Sequence, residues 1–341
     1  MPGALMAAEM EGQPAVLAAQ ASRRTEISEA VRSVLPGEPA GIVLIARGSS
    51  DHAAVYGRYV LQLATGRPIS LAAPSLHTLY GSRMHCPGFL AVAVSQSGRT
   101  PEIVTVLQRH IEAGAVGIAI TNDPSGPLAE VAAATIDLRA GEERAVPATK
   151  TFTSELAAFA MLAETLGEVS WNGGDWERLP GQVSEVLEDA EPPRRVAVEI
   201  GGAQGLISVG RGFMYAVALE AALKLKETTS LLAEGYSAAD LRHGPVAVIE
   251  HDFPVLAFRA SGPAAGDMKD LISWLTSQRE ARVLEVSDEE LADLRLPGGV
   301  PEALAPIPAA VRAQQVSYEL ALLRGMDPDV PEGLTKVTPT T

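Results

Sequence analysis

The sequence predicts an α/β protein of two tandem, doubly wound units, each a parallel sheet flanked by helices. Three observations lead there. Short apolar runs alternate with helix-forming stretches, the pattern of strand–helix–strand crossovers. Glycine turns follow the apolar runs, as at Arg47-Gly48 and Ser97-Gly98. The chain also repeats itself without gaps at an offset of 164 positions. Arg47-Gly48 falls on Arg211-Gly212, Phe89 on Phe253, Ala93 on Ala257, Ser97-Gly98 on Ser261-Gly262 and Leu107 on Leu271.

Taken in order, residues 5–34 read as helices, with a Thr25-Glu26-Ile27-Ser28 capping region, and Pro36 to Pro39 form a turn. Gly41 to Ala46 is a buried strand, because a parallel strand covered on both faces reads as a continuous apolar run. Arg47 to Ser50 is its turn, and a helix follows from about His52 to Leu63. Phe89 to Val94 is the next strand and runs into Ser95-Gln96-Ser97-Gly98-Arg99-Thr100. Pro101 then opens a helix to about Ala113, since a missing N–H costs nothing in a first turn. Val116–Thr121 and Ala134–Leu138 are strands, and a long apolar helix runs from the loop at Gly141–Lys150 to about Leu166. Trp171, Trp176 and Pro192-Pro193 mark a helical connector. Leu206–Val209 is then a strand, turning on Gly210 and Gly212 into a block rich in Ala, Leu, Lys and Glu. The expected organisation is an N-terminal helical segment (1–38), a first unit (39–170), a linker (171–194), a second unit (195–325) and a C-terminal tail (326–341).

Composition narrows the function. At 341 residues and 47% hydrophobic, the chain can bury two cores of ordinary size. Its 42 acidic and 27 basic residues give a net charge of −15, which argues against non-specific binding of nucleic acid or anionic membranes. Cys86 is the only cysteine, so no intrachain disulfide or cysteine-based zinc site is expected. No signal peptide and no apolar run of about 20 residues is present, and a cytoplasmic protein is expected.

The block after Gly212 is apolar almost all round, which normally means burial. Yet it carries Glu220, Lys224, Lys226 and Glu227, and Lys224 and Glu227 share a face. Glu234, Tyr236, Asp240 and the loop Arg242-His243-Gly244-Pro245 follow closely. Each alone has a plain structural reading, an ion pair or a loop histidine. Their density favours a site. The turn Ser95–Thr100, between strand and helix, offers hydroxyls and backbone N–H groups at a positive helix end, which suits a phosphate. The second copy reads Arg259-Ala260-Ser261-Gly262-Pro263-Ala264 and lacks most of the hydroxyls. Phosphate binding is therefore assigned to the first copy, with Ser49 and Ser50 from the neighbouring turn.

Ala222-Leu-Lys-Leu-Lys-Glu227, Ala233-Glu-Gly-Tyr236 and Leu241-Arg-His-Gly-Pro245 resemble the isomerase half of glucosamine-6-phosphate synthase. They equally resemble the shorter glucosamine-6-phosphate deaminases of the same sugar isomerase (SIS) family. The resemblance covers the chain from about residue 41. It implies Glu227 as the enolisation base, His243 as the ring-opening acid/base, and Lys224 as a neighbouring active-site lysine. Lys336 matches a tail lysine able to form an imine with the open-chain ketose. Ser95, Gln96, Ser97 and Thr100 match the phosphate loop. A sugar 6-phosphate substrate, no cofactor or metal, and a homodimer whose His243 loop reaches the neighbouring site are also implied.

The sequence departs from the synthase at several points. Arg99 replaces a glutamate, as in deaminase-like members, although a cation at a helix start costs up to about 1 kcal/mol unless an anion is near. Asp240 replaces a glutamate and is a second candidate acid/base. Pro147-Ala148 and Glu332-Gly333 also differ. No counterpart of the glutaminase half is present, so glutamine-fed synthesis is not expected. The expected activity is deamination and isomerisation of glucosamine 6-phosphate to fructose 6-phosphate. A lyase dehydrating N-acetylglucosamine 6-phosphate and a non-catalytic sugar-phosphate sensor are the alternatives.

Overall fold

The structure, a computed structural model, describes residues 2–336. Helices α1 (Ala4–Glu11), α2 (Gln13–Ser22) and α3 (Arg24–Val34) come first. They lead to β1 (Ile42–Ile45), α4 (Ser49–Thr65), β2 (Ile69–Leu71), the one-turn α5 (Ser75–Thr78), β3 (Leu90–Val94) and α6 (Pro101–Glu112). Next are β4 (Val116–Thr121), α7 (Pro127–Val131), β5 (Ala134–Asp137), α8 (Lys150–Leu166), α9 (Gly173–Glu188) and α10 (Glu191–Ile200). The later part holds β6 (Gly205–Gly210), α11 (Met214–Thr229), β7 (Leu232–Ser237), α12 (Ala238–Arg242) and β8 (Pro254–Phe258). It continues with α13 (Ala265–Gln278), β9 (Arg282–Ser287), β10 (Leu294–Arg295) and α14 (Pro306–Leu323). No described helix is long and apolar enough to cross a membrane.

The chain forms two compact units. The N-terminal unit comprises Ala15–Glu143 and Ser154–Asn172; the C-terminal unit comprises residues 2–14, Arg144–Thr153 and Gly173–Lys336. Each holds one five-stranded, wholly parallel sheet among the described residues. The orders are β2-β1-β3-β4-β5 and β10-β9-β8-β6-β7, one topology used twice.

The sequence repeat is a repeat of packing. In the N-terminal unit Val43, Ile45, Ala91 and Ala93 pack with Leu107 of α6. Ile207, Val209, Val255, Ala257 and Leu271 of α13 do the same in the C-terminal unit, each 164 positions on. Side chains alternate across a strand, so this shared set is one face of each sheet. The sequence reading left β2, β7 and α14 unassigned. β2 is three residues long, β7 is interrupted by Glu234 and Gly235, and α14 is buried on nearly every side, so it shows no amphipathic period.

Within the C-terminal unit, the first residues of the chain hold the tail. Asp327 Oδ1 accepts from Gly3 N at 2.9 Å. The buried Asp329 accepts from Leu5 N at 2.9 Å and Met6 N at 2.7 Å, at the positive end of α1. Its carbonyl accepts from Val146 N at 3.0 Å, and Glu9 of α1 accepts from the amides of Arg144 and Ala145. The loop leading to Thr149 and Lys150, the N-terminal helix and the tail leading to Lys336 are thus one hydrogen-bonded assembly. Replacing Asp329 by Ala should lower stability by about 1–3 kcal/mol, because buried amides lose their acceptors. Asp329→Asn, which keeps an acceptor, should cost less. Urea unfolding checks this, and equal midpoints for wild type and Asp329→Ala would show that the tail is held otherwise.

Candidate active site

In the N-terminal unit the expected phosphate turn joins β3 to α6. Ser95 is buried, Gln96, Ser97 and Thr100 are half-buried, and Arg99 is exposed. Ser95 Oγ and Thr100 Oγ1 lie 3.4 Å apart, and Thr100 is the extended residue before Pro101. Arg99 donates to Asp123 Oδ2 at 3.0 Å through Nε, and its Nη2 lies 2.8 Å away. That carboxylate is the anion that a cation at a helix start requires. Hydrogen bonds from Ser125, with Arg99 beside it, hold the Asp123 carboxyl below its ordinary range. Ser49 and Ser50 open α4. The Ser50 hydroxyl donates to the buried Glu155 at 2.8 Å, so its proton is directed to α8.

The matching turn of the C-terminal unit has taken carboxylates of its own chain. Ser261 N donates to Asp288 Oδ1 at 3.1 Å, and Ala264 N lies 3.4 Å from Glu302 Oε1. The Glu302 carboxyl rests against Gly262, where a Cβ would come within 2.3 Å of it. Burial pushes the Glu302 carboxyl up, with the Ala264 amide working against that. Arg259 stands where the first copy has Ser95, and its guanidinium is committed to Glu285 and Glu289. No described carboxylate accepts a hydrogen bond from the amides of the Ser95–Thr100 turn.

Helix α11 carries the charged cluster. Its buried residues lie on nearly every face, and Lys224 and Glu220 are among them. Lys224 Nζ is 3.3 Å from Glu220 Oε1 and in direct contact with Glu227 Oε2. The Lys224 side chain is 1% exposed and that of Glu227 21%, so Glu227 is the member of this triad that reaches the surface. Burial alone would lower the Lys224 pKa, but the two carboxylates outweigh it and hold it above its ordinary value. Thr228 Oγ1 bonds back to Lys224 O at 2.8 Å and across to Ser317 O of α14 at 3.2 Å, which fixes this end of the helix.

Asp240 and His243 lie on α12 and at its end, and both are exposed. Asp240 forms a reciprocal cap with Ser237: its amide donates to Ser237 Oγ at 3.2 Å, and that hydroxyl donates to Asp240 Oδ2 at 2.6 Å. His243 is the C-cap, its amide bonded to Asp240 O at 3.0 Å. No hydrogen bond links its imidazole to Glu227, Lys224 or Asp240 among the described residues. Glu234 and Tyr236 belong to strand β7. Lys336 is half-buried in the bend that ends the described residues; 337–341 of the expected tail lie outside them.

Two features escaped the sequence reading. Glu220 was visible as a charge on an apolar helix, but its part in the triad depends on folding. Arg47 was visible only as half of a repeated Arg-Gly pair, and its partner Glu102 lies 55 positions on.

Because the Lys224 pKa is raised on folding, its contribution to stability is fully present below the ordinary lysine value of about 10.4 and is lost only as pH rises through the folded value. Lys224→Met should therefore cost its full amount at neutral pH, about 3–5 kcal/mol, by leaving two carboxylates without their shared cation. The cost should stay nearly constant from about pH 7 to about pH 9.5, below the ordinary lysine value, because the wild-type ammonium keeps its charge throughout. Unfolding curves at these two pH values check both the size and its constancy.

The SIS domain signature matches residues 39–165 and 200–295. Among curated proteins, the glutamine–fructose-6-phosphate aminotransferase (isomerizing) of Pyrococcus horikoshii is 34% identical over 307 residues, covering 86% of this chain and 51% of that protein. Its counterpart in Gloeobacter violaceus is 35% identical over 319 residues, with 86% and 51% covered. The chain thus spans about half the length of these relatives. A candidate phosphosugar isomerase from Silicibacter pomeroyi superposes with a TM-score of 0.85 at 32% identity, covering 96% of this chain and all of that one. The C-terminal domain of the Francisella tularensis glucosamine–fructose-6-phosphate aminotransferase gives 0.85 at 22% identity, covering 96% and 98%, a likeness of fold. With its duplicated parallel sheet and both halves matched, the chain belongs to the SIS domain family.

Proposed function

We propose that the protein is an amino-sugar 6-phosphate isomerase that deaminates glucosamine 6-phosphate to fructose 6-phosphate and ammonia. The observation that carries the reading is the Glu220–Lys224–Glu227 triad: a carboxylate reaches the surface from an apolar helix, and a buried ammonium fixes its position. The relatives named for fructose-6-phosphate chemistry supply the substrate class. Support for the phosphate end comes from the repeat. Amides of the second turn donate to carboxylates of the chain. In the first, the amides of Ser95, Gly98 and Arg99 are bonded locally, and those of Gln96, Ser97 and Thr100, with the hydroxyls, are the donors for an anion from outside.

In this reading the Ser95–Thr100 turn, with Gln96, Ser97 and the neighbouring Ser49, holds the phosphate. His243 opens the pyranose ring to the aldehyde, and Asp240 keeps its short helix in place. Glu227 takes the C2 proton, giving an enolamine with the negative charge on O1. Returning a proton to C1 yields the C2 imine of the ketose. Water adds at C2, and ammonia leaves. The sum is one amino sugar phosphate and one water in, one fructose 6-phosphate and one ammonia out. Lys224 anchors Glu227, and Lys336 contacts the open-chain ketose. The exposed His243 imidazole suits a site shared between two copies of the chain, and a homodimer is part of the proposal.

Purified protein given glucosamine 6-phosphate should release equal amounts of ammonia and fructose 6-phosphate. Glu227→Gln should slow solvent deuterium uptake at the substrate by roughly 10²-fold or more, since it keeps shape and removes the base. A product 18 mass units lighter than N-acetylglucosamine 6-phosphate, with no ammonia from the free amine, would overturn the proposal in favour of dehydration. For the shared site, mixing inactive His243→Ala and Glu227→Gln chains should restore part of the activity after subunit exchange. No recovery despite demonstrated exchange would place each complete site on one chain.

A further inference from the structure

Arg47 lies two residues beyond Ile45, the last residue of β1, and Ser95 lies two residues beyond Ala93 and directly after the end of β3. The strands are neighbours in register, Ile45 opposite Ala93, so both residues emerge side by side, about 4.8 Å apart at the backbone. The Arg47 side chain then reaches the first turn of α6. Its Nε donates to Glu102 Oε2 at 2.9 Å and its Nη2 to Oε1 at 3.0 Å. Glu102 is 4% exposed and the Arg47 side chain 47%. A two-point fork of this kind fixes the plane of the guanidinium. It uses one edge only, and Nη1 has no hydrogen-bond partner among the described residues. Glu102 also lies two residues past Thr100, at the amino end of the helix that faces the candidate phosphate. Without Arg47 its carboxylate would repel a dianion there.

We propose that Arg47 is a phosphate-binding residue of this site and that Glu102 is its positioning residue. The guanidinium cancels the Glu102 charge and presents Nη1 to a phosphate oxygen. The inference rests on the reading of the Ser95–Thr100 turn as the phosphate site. The second copy separates structural from binding roles. Arg211, at the matching position, lies 3.3 Å from Asp267, but Asp267 is 41% exposed and also pairs with Arg242 at 2.9 Å. The adjoining turn there is bonded to Asp288 and Glu302. A strand-end arginine tied to the helix that follows the neighbouring strand is therefore shared by both copies. The two-point fork to a buried carboxylate beside a hydroxyl turn belongs to the first alone.

Calorimetric titration with inorganic phosphate tests this without depending on which sugar is turned over. It is run on wild type, Arg47→Gln, Arg47→Lys, Glu102→Gln and Ser97→Ala/Thr100→Ala, with melting temperatures in parallel. Arg47→Gln should weaken phosphate binding roughly ten- to a hundredfold, with a similar rise in KM for the sugar phosphate and kcat nearly unchanged. Arg47→Lys keeps charge but not the fork, and Glu102→Gln frees the fork's anchor, so each should give a smaller loss. Lower melting temperatures with unmoved phosphate affinity in all three would overturn the inference and leave the pair a clamp of the fold. If Ser97→Ala/Thr100→Ala alone weakens binding, Arg47 is excluded and the phosphate turn stands. If neither set changes affinity, the phosphate turn itself is wrong.

Discussion

Strand order governs where chemistry can sit in this protein. In each parallel sheet the order reverses beside its first strand, between β1 and β3 and again between β6 and β8. Right-handed crossovers send successive helices to opposite faces of the sheet, and the connections part at that reversal. The two loops flanking it meet no intervening helix. In the N-terminal unit these are the loops of Arg47–Ser50 and Ser95–Thr100, one bringing a guanidinium and the other hydroxyls and amides. In the C-terminal unit the equivalent loops bring Arg211 and Arg259, and there turn amides as well as guanidinium groups meet carboxylates of the chain itself. One topology therefore carries two electrostatic outcomes, and side chains beyond the repeat choose between them.

The charged cluster of α11 answers to a second constraint. Gly235 of β7 lies so close under this helix that a Cβ there would come within 2.7 Å of Leu219 Cα and 2.9 Å of Ala218 O. With backbone against backbone on one side and α14 on the other, nearly every position of the helix is buried. A lysine there must find anions, and Glu220 and Glu227 lie one turn before and one turn after it. Desolvation makes the cluster costly, and the same desolvation makes its geometry firm. The function proposed for Glu227 needs a carboxylate held in one place but still reached from outside, and its partial exposure meets that need.

Much of this was legible in the sequence. The offset of 164 positions, read from a few identities, carries the sheet cores residue for residue, from Val43 and Ile207 to Leu107 and Leu271. Burial of α11 followed from its composition, and the difference in hydroxyls between the two turns, on which the phosphate proposal rests, is plain in the repeat. What stayed hidden was partnership across distance. Nothing in the pattern ties Glu302 to Gly262, Glu102 to Arg47 or Ser50 to Glu155, because a carboxylate's partner is set by where the chain returns. Strands β2 and β7 were hidden for another reason: edge strands with one neighbour need little hydrophobicity, and β7 carries Glu234 and Gly235 at no great cost.

The bonds between α1 and the tail also change what an N-terminal deletion means for this chain. Leu5, Met6 and Glu9 lie within the first eleven residues, a stretch with no candidate catalytic group. Removing it would strip a buried carboxylate at Asp329 of two donors and free the Arg144–Ala145 amides in the same stroke. The damage would appear further along the chain, more than 130 residues away at one place and more than 320 at another. For this protein, the beginning of the chain is a bracket for its end.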